Sequence, residues 1–245
     1  MNMHDSPGAG DSSTVACKEK PWQRVFDLCV ASLALCAVAP LMLLTIVVVW
    51  LESGRPIYFS QLRLGKGGRQ FYLYKFRKFR VDCGPGGLPL TVRNDDRMTA
   101  VGRFLALTKI DELPQLWNVL RGDMSIVGPR PESLAFADCF SDGLERVLDC
   151  RPGLFGPCQF LFRHEELFFP PNAEPEEFYR RVLFPAKARI DLEYFSRRSL
   201  IKDVGWMLRG AGAVFGLTSS MDAEGDFARE FAQVVVWNRT EGGGS

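Results

Sequence analysis

The chain has 245 residues, 47% of them hydrophobic and 24% charged, which excludes a disordered chain and allows one good-sized domain or two small ones. A formal net charge of +1 excludes a broad nucleic-acid-binding surface, so no nucleic-acid partner is expected. Two histidines, His4 and His164, argue against a histidine-rich metal site or a Ser–His–Asp triad, and His164 reads as a surface or hydrogen-bonded residue.

Residues 1–17 are rich in Gly, Ser and Asp and are expected to be disordered. Residues 28–51 carry no charged side chain. At about 1.5 Å per residue such a run could cross a hydrocarbon core of about 30 Å. Pro40 sits at its centre, and a central proline removes a backbone hydrogen bond and kinks or breaks a helix. Each arm alone would reach only about 18 Å, too short to cross. Both flanks are basic: Lys18, Lys20 and Arg24 before, Arg55, Arg63, Lys66, Arg69, Lys75, Arg77, Lys78 and Arg80 after. Basic flanks prefer the cytoplasm. A re-entrant membrane helix over 18–53, broken at Pro40 and returning to the same leaflet, is therefore favoured over a span. A buried core helix is disfavoured because the run has no polar face. A cleaved signal peptide is disfavoured because the run is too long and starts too late. The seven cysteines are scattered without C-x-x-C spacing and are read as reduced thiols, with Cys29 and Cys36 serving as small apolar residues.

Residues 56–77 predict a hairpin: IYFSQLRL and QFYLYKFR alternate apolar and polar about a turn at Gly65-Lys66-Gly67-Gly68. Residues 82–90 predict a loop, 101–121 a helical stretch interrupted near 108–111, and 132–150 a further helix. RPGLFGP at 151–157 punctuates the chain, and 176–209 read as mostly helical with a break at Pro185. Between 187 and 215, Ile190, Tyr194, Ile201, Val204, Leu208 and Phe215 interleave with Arg197, Arg198, Lys202 and Arg209. That pattern suits an amphipathic helix on an anionic membrane and equally a surface helix packed on a core. The tail from 218 to 245 ends in EGGGS, which reads as an appended linker. The expected class is α+β and helix-dominated, with a short β-hairpin and amphipathic interfacial helices.

The informative residues concentrate at 93–131. Asp111-Glu112 precedes Leu113-Pro114, and proline is tolerated in a first helical turn, so a helix is expected from about Glu112 with Asp111 at or near its N-cap. The positive helix end would favour the ionised form of Asp111. A carboxylate so placed could attack phosphorus and form an acyl phosphate. Glu112 could hold Mg²⁺, a hard cation that binds carboxylate and phosphate oxygens together. Local sequence alone equally describes a capping residue beside a dipole-complementing one.

IDELPQLWNVLRGDMSIVGPRP, with YKFR at 74–77, NDDRMT at 94–99 and RPGLFG at 151–156, resembles the bacterial sugar transferase family of monotopic polyprenol-phosphate phosphoglycosyl transferases. The resemblance runs from about Lys20 to Arg209 and includes the membrane segment with its mid-run proline. It implies a cytoplasmic catalytic domain over 54–217, attached to the inner membrane by the re-entrant helix. It implies transfer of a phosphosugar from a nucleotide sugar to polyprenol phosphate, with Mg²⁺ as cofactor and membrane lipid as surroundings. Carried over by motif, Asp111 is the nucleophile and Glu112 the metal partner. Arg130 of the P-R-P string is implied to contact the nucleotide diphosphate. Lys75 and Arg77 of K-F-R either touch phosphate or pair with carboxylates. Arg97, in Asp95-Asp96-Arg97, and Arg163 are further phosphate candidates, and sugar selection is expected in segments such as 160–180.

The sequence departs from the family pattern in three places. Ala106 stands where an arginine is expected, with Lys109 as a nearby cation that lacks the bidentate fork. K-F-R-T-M is here KFRKF, and the usual S-P of the membrane helix is Ala39-Pro40. Two rival readings remain open at this level: a non-catalytic membrane scaffold for polysaccharide assembly, and a glycosyl transferase that moves the sugar alone. A homo-oligomer is compatible with the sequence.

Overall fold

The computed structural model describes residues 17, 19–81, 96–163, 165, 168–170 and 174–214. The expected disordered start, the 82–90 loop, His164, Asp95, Phe215 and the tail lie outside the described residues, save Cys17 at the end of that start. Helix α1 runs over Pro21–Ser53 without interruption. Pro21 occupies its first turn, and the Gln23 side chain reaches back to accept from the Lys20 amide at 2.6 Å.

The break expected at Pro40 does not occur. Packing on both sides of the proline carries the helix through it. Val30, Ala31, Ala34, Leu35 and Val38 lean on one cluster, built with Leu73, Leu116, Val119 and Ile126. Met42, Ile46 and Val49 lean on a second, with Phe76, Leu105, Ile110 and Leu113. Tertiary contact overrides the local penalty of one missing hydrogen bond. The packed residues recur every three or four positions, so a single stripe of α1 faces the rest of the protein along its length. The opposite face, with Leu33, Leu43, Leu44, Val47 and Leu51, is exposed and apolar.

Both ends of α1 are fastened. Near the start, the Arg24 guanidinium donates to the Val119 and Leu120 carbonyls, each at 2.7 Å. One turn on, Asp27 accepts from Ser125 Oγ at 2.9 Å and from the Ile126 amide at 2.8 Å. At the far end Gly54 takes φ +67°, and Arg77 donates to the carbonyls of Ser53 and Gly54 and to Ser53 Oγ. Those carbonyls have no helical partner of their own, and a buried guanidinium supplies it. Arg77, a phosphate candidate by sequence, is thus a capping residue of α1.

Strands β1 (Tyr58–Leu64) and β2 (Gln70–Phe76) form the expected antiparallel hairpin, pairing Tyr58 with Phe76 and Leu64 with Gln70. Helices α2 (Ala100–Thr108) and α3 (Gln115–Arg121) flank a 3₁₀ turn at Ile110–Glu112. Strand β3 (Ser125–Val127) pairs in parallel with β4 (Gly153–Phe155). Between them, 132–150 forms two 3₁₀ segments, Leu134–Cys139 and Leu144–Asp149, and not the single helix expected. Asp142 and Gly143 both adopt positive φ there, which an α-helix cannot absorb. Beyond α4 (Pro157–Leu161) come α5 (Pro175–Phe178), a π-helical turn at Tyr179–Leu183, α6 (Phe184–Ser196) and α7 (Leu200–Val214). Pro185 sits in the first turn of α6, where proline is tolerated, so the interruption falls at 197–199.

The cysteine reading is corrected at one pair. Cys17 and Cys150 are bonded across 133 residues, with their Cα atoms 5.2 Å apart. Spacing along the chain carries no trace of a contact that the fold alone creates. Glu19 adds ion pairs to Lys66 at 3.0 Å and Arg151 at 3.2 Å beside it.

Candidate active site

Asp111 and Glu112 lie in the 3₁₀ turn between α2 and α3. Lys109 precedes the turn with φ +60°, a left-handed conformation that bulky residues seldom adopt. Helix α3 starts only at Gln115 with Pro114 as its N-cap, so Asp111 lies in the turn before the helix and not at its cap. The turn is wedged between the two apolar clusters under α1. Ile110 and Leu113 pack with Val49, and Leu116 and Val119 pack with Ala31. The apolar helix is therefore the floor on which the dyad stands.

Asn118 brings the lysine of the hairpin to this turn. The Asn118 side chain is fully buried, accepts from the Tyr74 amide at 3.1 Å and donates to the Tyr72 carbonyl at 2.7 Å. It bonds the open edge of β2 as a neighbouring strand would. Phe71 and Leu73 point inward from β2, and Lys75 follows on the same face by the two-residue period. Lys75 Nζ then meets Glu112 Oε1 at 2.8 Å. Asn118→Ala would strand both backbone groups and is expected to destabilise the fold by about 2–4 kcal/mol. Equilibrium denaturation of the two proteins in the same detergent checks this.

Arg130 arrives by a different close approach. Gly128 and Gly153 lie so near each other that a Cβ on Gly153 would fall 1.9 Å from the Gly128 nitrogen. Gly153 N donates to the Pro129 carbonyl at 2.8 Å, which fixes the P-R-P backbone against β4. The Arg130 guanidinium acts on Glu112, Glu165 and Glu132 together. Burial weakens its charge, but these three carboxylates outweigh burial and hold it more firmly protonated than usual.

The dyad's two carboxyls respond oppositely to one environment. Burial pushes Asp111 up, with Lys75, Lys78 and Lys109 pulling against it and Glu112 adding to the rise. The bias toward the ionised form expected from a helix end is therefore reversed in sign. For Glu112, burial also pushes upward, but Lys75, Lys109 and Arg130 prevail and hold it well below the usual carboxylate range. Asp111 Oδ1 is buried without a hydrogen-bond partner. Arg163 is half-buried, which lowers its pKa, and its charge acts on Glu112.

The structure thus gathers Lys75, Lys109, Asp111, Glu112, Arg130 and Arg163 of the predicted residues. It removes Arg77 to the end of α1. It sets Arg97 over the Phe79 ring at 4.9 Å. Sequence reasoning missed Lys78, which acts on both carboxylates, and a buried polar group behind Arg130. There, Lys187 pairs with Glu165 and lies 4.6 Å from the Tyr179 ring centroid, and Tyr179 is hydrogen-bonded to Glu132. A lysine within an apolar stretch of α6 was the available signal.

The bacterial sugar transferase family model matches residues 18–216. The chain belongs to that family and is a transferase by that membership. It is 44% identical over 190 residues to a UDP-glucose:undecaprenyl-phosphate glucose-1-phosphate transferase of Caulobacter vibrioides, covering 76% of this chain and 67% of the relative. It is 36% identical over 195 residues to a Xanthomonas campestris protein of the same name, covering 78% of this chain and 38% of the relative. It is 41% identical over 142 residues to a UDP-N-acetylgalactosamine-undecaprenyl-phosphate N-acetylgalactosaminephosphotransferase of Aeromonas hydrophila, covering 57% of this chain and 34% of the relative. The chain spans only about a third of the length of the latter two.

Proposed function

We propose that the protein transfers a phosphosugar from a nucleoside-diphosphate sugar of the UDP class to a polyprenol phosphate at the cytoplasmic face of the bacterial inner membrane. The observation that carries this reading is a buried Asp111 beside a partly buried Glu112, with the charges of Lys75, Lys78, Lys109, Arg130 and Arg163 acting on the pair. Such cations offset the repulsion between an attacking carboxylate and a diphosphate. An Asp111 carboxylate oxygen attacks the sugar-linked phosphorus. The bond from that phosphorus to the bridging oxygen breaks, and UMP leaves with the electron pair. An oxygen of the polyprenol phosphate then attacks the same phosphorus. The acyl phosphate breaks, Asp111 recovers its carboxylate, and the product is a polyprenol-diphosphate sugar. One nucleophile thereby serves a soluble donor and a lipid acceptor in turn.

Mg²⁺ fits this site only together with its substrate. Among the described residues no group of three or more His, Cys, Asp or Glu is placed to hold a metal ion. Mg²⁺ keeps several waters and binds through one or two carboxylates plus substrate phosphates. The unpartnered Asp111 Oδ1 and the ionised Glu112 suit that pattern, with Glu112 as the residue that would hold the ion. When bound, the ion would neutralise charge on the donor phosphates.

Placement at one leaflet is supported by α1. It is long and apolar enough to cross a membrane, with only 11% of its most apolar stretch buried. Both of its ends are nevertheless bonded to the same domain, at Val119–Leu120 and at Arg77. A helix crossing the bilayer upright would leave one end remote from that domain. Phe104 and Leu107 of α2, Trp117 of α3, and Ile201 and Leu208 of α7 are exposed apolar groups suited to the interface.

Purified full-length chain in detergent, given undecaprenyl phosphate, Mg²⁺ and a panel of UDP-sugars, is expected to release UMP. Release of UDP would replace this reading with transfer of the sugar alone. No nucleotide release across the panel would overturn it.

A further inference from the structure

The β1–β2 hairpin has two edges, and each fastens one half of the site. On the β2 edge Asn118 bonds Tyr72 and Tyr74, one step from the Lys75 that meets Glu112. On the β1 edge the segment that follows Arg130 lies alongside as a short third strand. The Leu64 amide donates to the Glu132 carbonyl at 3.0 Å, and Arg63 forms an antiparallel bridge with Ser133. Arg63 also reaches this segment through its side chain. Its Nη1 donates to the Pro131 carbonyl at 3.4 Å, and its Nη2 donates to Gln61 Oε1 at 2.7 Å. The register sets Arg63 opposite Phe71 and Gln61 opposite Leu73, so both side chains share the inward face that carries Lys75. By sequence Arg63 is only one of the basic residues that flank the apolar run. In the fold two of its guanidinium nitrogens are held by acceptors of the protein itself, and the third, Nε, is buried without a partner.

We propose that Arg63 is a positioning residue for Arg130, its guanidinium fixing the backbone at Pro131 so that the neighbouring Arg130 side chain is held for the donor diphosphate. The inference rests on the reading of Arg130 as a donor contact. Pro129 and Pro131 have no N–H to give to the strand beside them, and the Arg63 fork adds a bond that this ladder lacks. Neighbouring strands sit about 4.8 Å apart, so the strip holds the Arg130 segment two strand spacings from the strand that carries Lys75. One small sheet thereby sets the diphosphate cation and the Glu112 cation relative to each other. A charged fork that is a fraction of an ångström out of place loses much of its bidentate bonding, which is why its backbone is worth fixing.

The test is UDP binding to full-length protein in detergent with Mg²⁺, read by titration calorimetry, which needs no turnover. Arg63→Met is expected to weaken UDP about tenfold, the size of one charge-assisted contact set loose. Arg63→Lys is expected to weaken it nearly as much, because an ammonium keeps the charge but does not span Pro131 and Gln61 as the planar fork does. In an Arg130→Met background, Arg63→Met is expected to cost less than about twofold more, because the group it positions is gone. Full affinity in Arg63→Met, rescue by lysine, or losses that multiply in the double variant would each overturn the proposal. If Arg63→Met does not fold, Gln61→Ala frees one arm of the fork and should show a smaller loss that vanishes in the Arg130→Met background. A loss that persists there would overturn the proposal as well. UDP binding unchanged by Arg130→Met would overturn it at its premise. Binding that follows the expected pattern in a protein that releases no nucleotide from UDP-sugars would leave Arg63 in its role and sink the transfer reading alone.

Discussion

Asp111→Asn is expected to remove turnover by at least about 10⁴-fold while leaving the protein folded and the donor bound. The amide matches the carboxylate in shape but has no oxygen able to form the acyl phosphate. Stability should not suffer, and the sign follows from the direction of the shift. Burial raises the Asp111 carboxyl above its ordinary value, so the folded state penalises the charged form. An acid raised in this way loses stability as pH climbs from its unfolded value through its folded one. At neutral pH that loss is already present, and a neutral amide does not incur it. The variant should therefore melt at or above the wild-type temperature.

The same variant decides the chemistry. Wild-type protein mixed with donor alone should gain the mass of one phosphosugar, and peptide mapping should locate it on Asp111. Asp111→Asn should gain none. An adduct on another residue, or full turnover by the variant, would remove Asp111 from the role of nucleophile. Release of UMP before any acceptor is added would be the kinetic counterpart of the adduct.

Much of this site was legible in the sequence, for reasons that differ by residue. The hairpin is a local pattern and appears where its residues placed it, while the dyad and the P-R-P string are local strings that the fold brings within electrostatic reach of one another. The alternation of β2 is likewise local, and it already implied that Lys75 shares a face with Phe71 and Leu73. Lys78, Glu165 and Lys187 were not legible because no short-range rule brings them in. Lys78 is held by the Thr99 amide on its carbonyl, and Glu165 by its pair with Lys187, contacts between segments 21 or more residues apart. Arg77 misled because a motif match does not say which way a guanidinium turns, and the uncapped end of α1 claimed it. Pro40 misled for a related reason. The rule that proline breaks helices describes an isolated chain, and α1 has a packed stripe on both sides of it. The disulfide and the paired 3₁₀ segments were equally the work of tertiary structure.

Glu112 and Lys75 should behave as one unit, and a double-mutant cycle separates that from two independent roles. The sequence left Lys75 divided between touching phosphate and pairing with a carboxylate, and the 2.8 Å contact with Glu112 favours pairing. Glu112→Gln leaves Lys75, Lys109 and Arg130 facing one another without their shared counter-charge. We expect it to lose about 10²–10³-fold in kcat, and to need a higher Mg²⁺ concentration for half-maximal rate. Lys75→Met leaves Glu112 buried with less opposing charge, so its carboxyl should rise towards the ordinary range. If the pair acts together, the double variant should be no slower than Glu112→Gln alone, because the second change removes a partner that is already gone. Stability should follow the same logic with the opposite visible effect. Glu112→Gln leaves three cations without their shared anion, whereas the double variant leaves only Lys109 and Arg130 so placed, and it should melt higher than Glu112→Gln alone. Losses in kcat that multiply instead would mean that Lys75 also reaches the substrate phosphate. In that case Glu112 would be only one of two anions that this lysine serves.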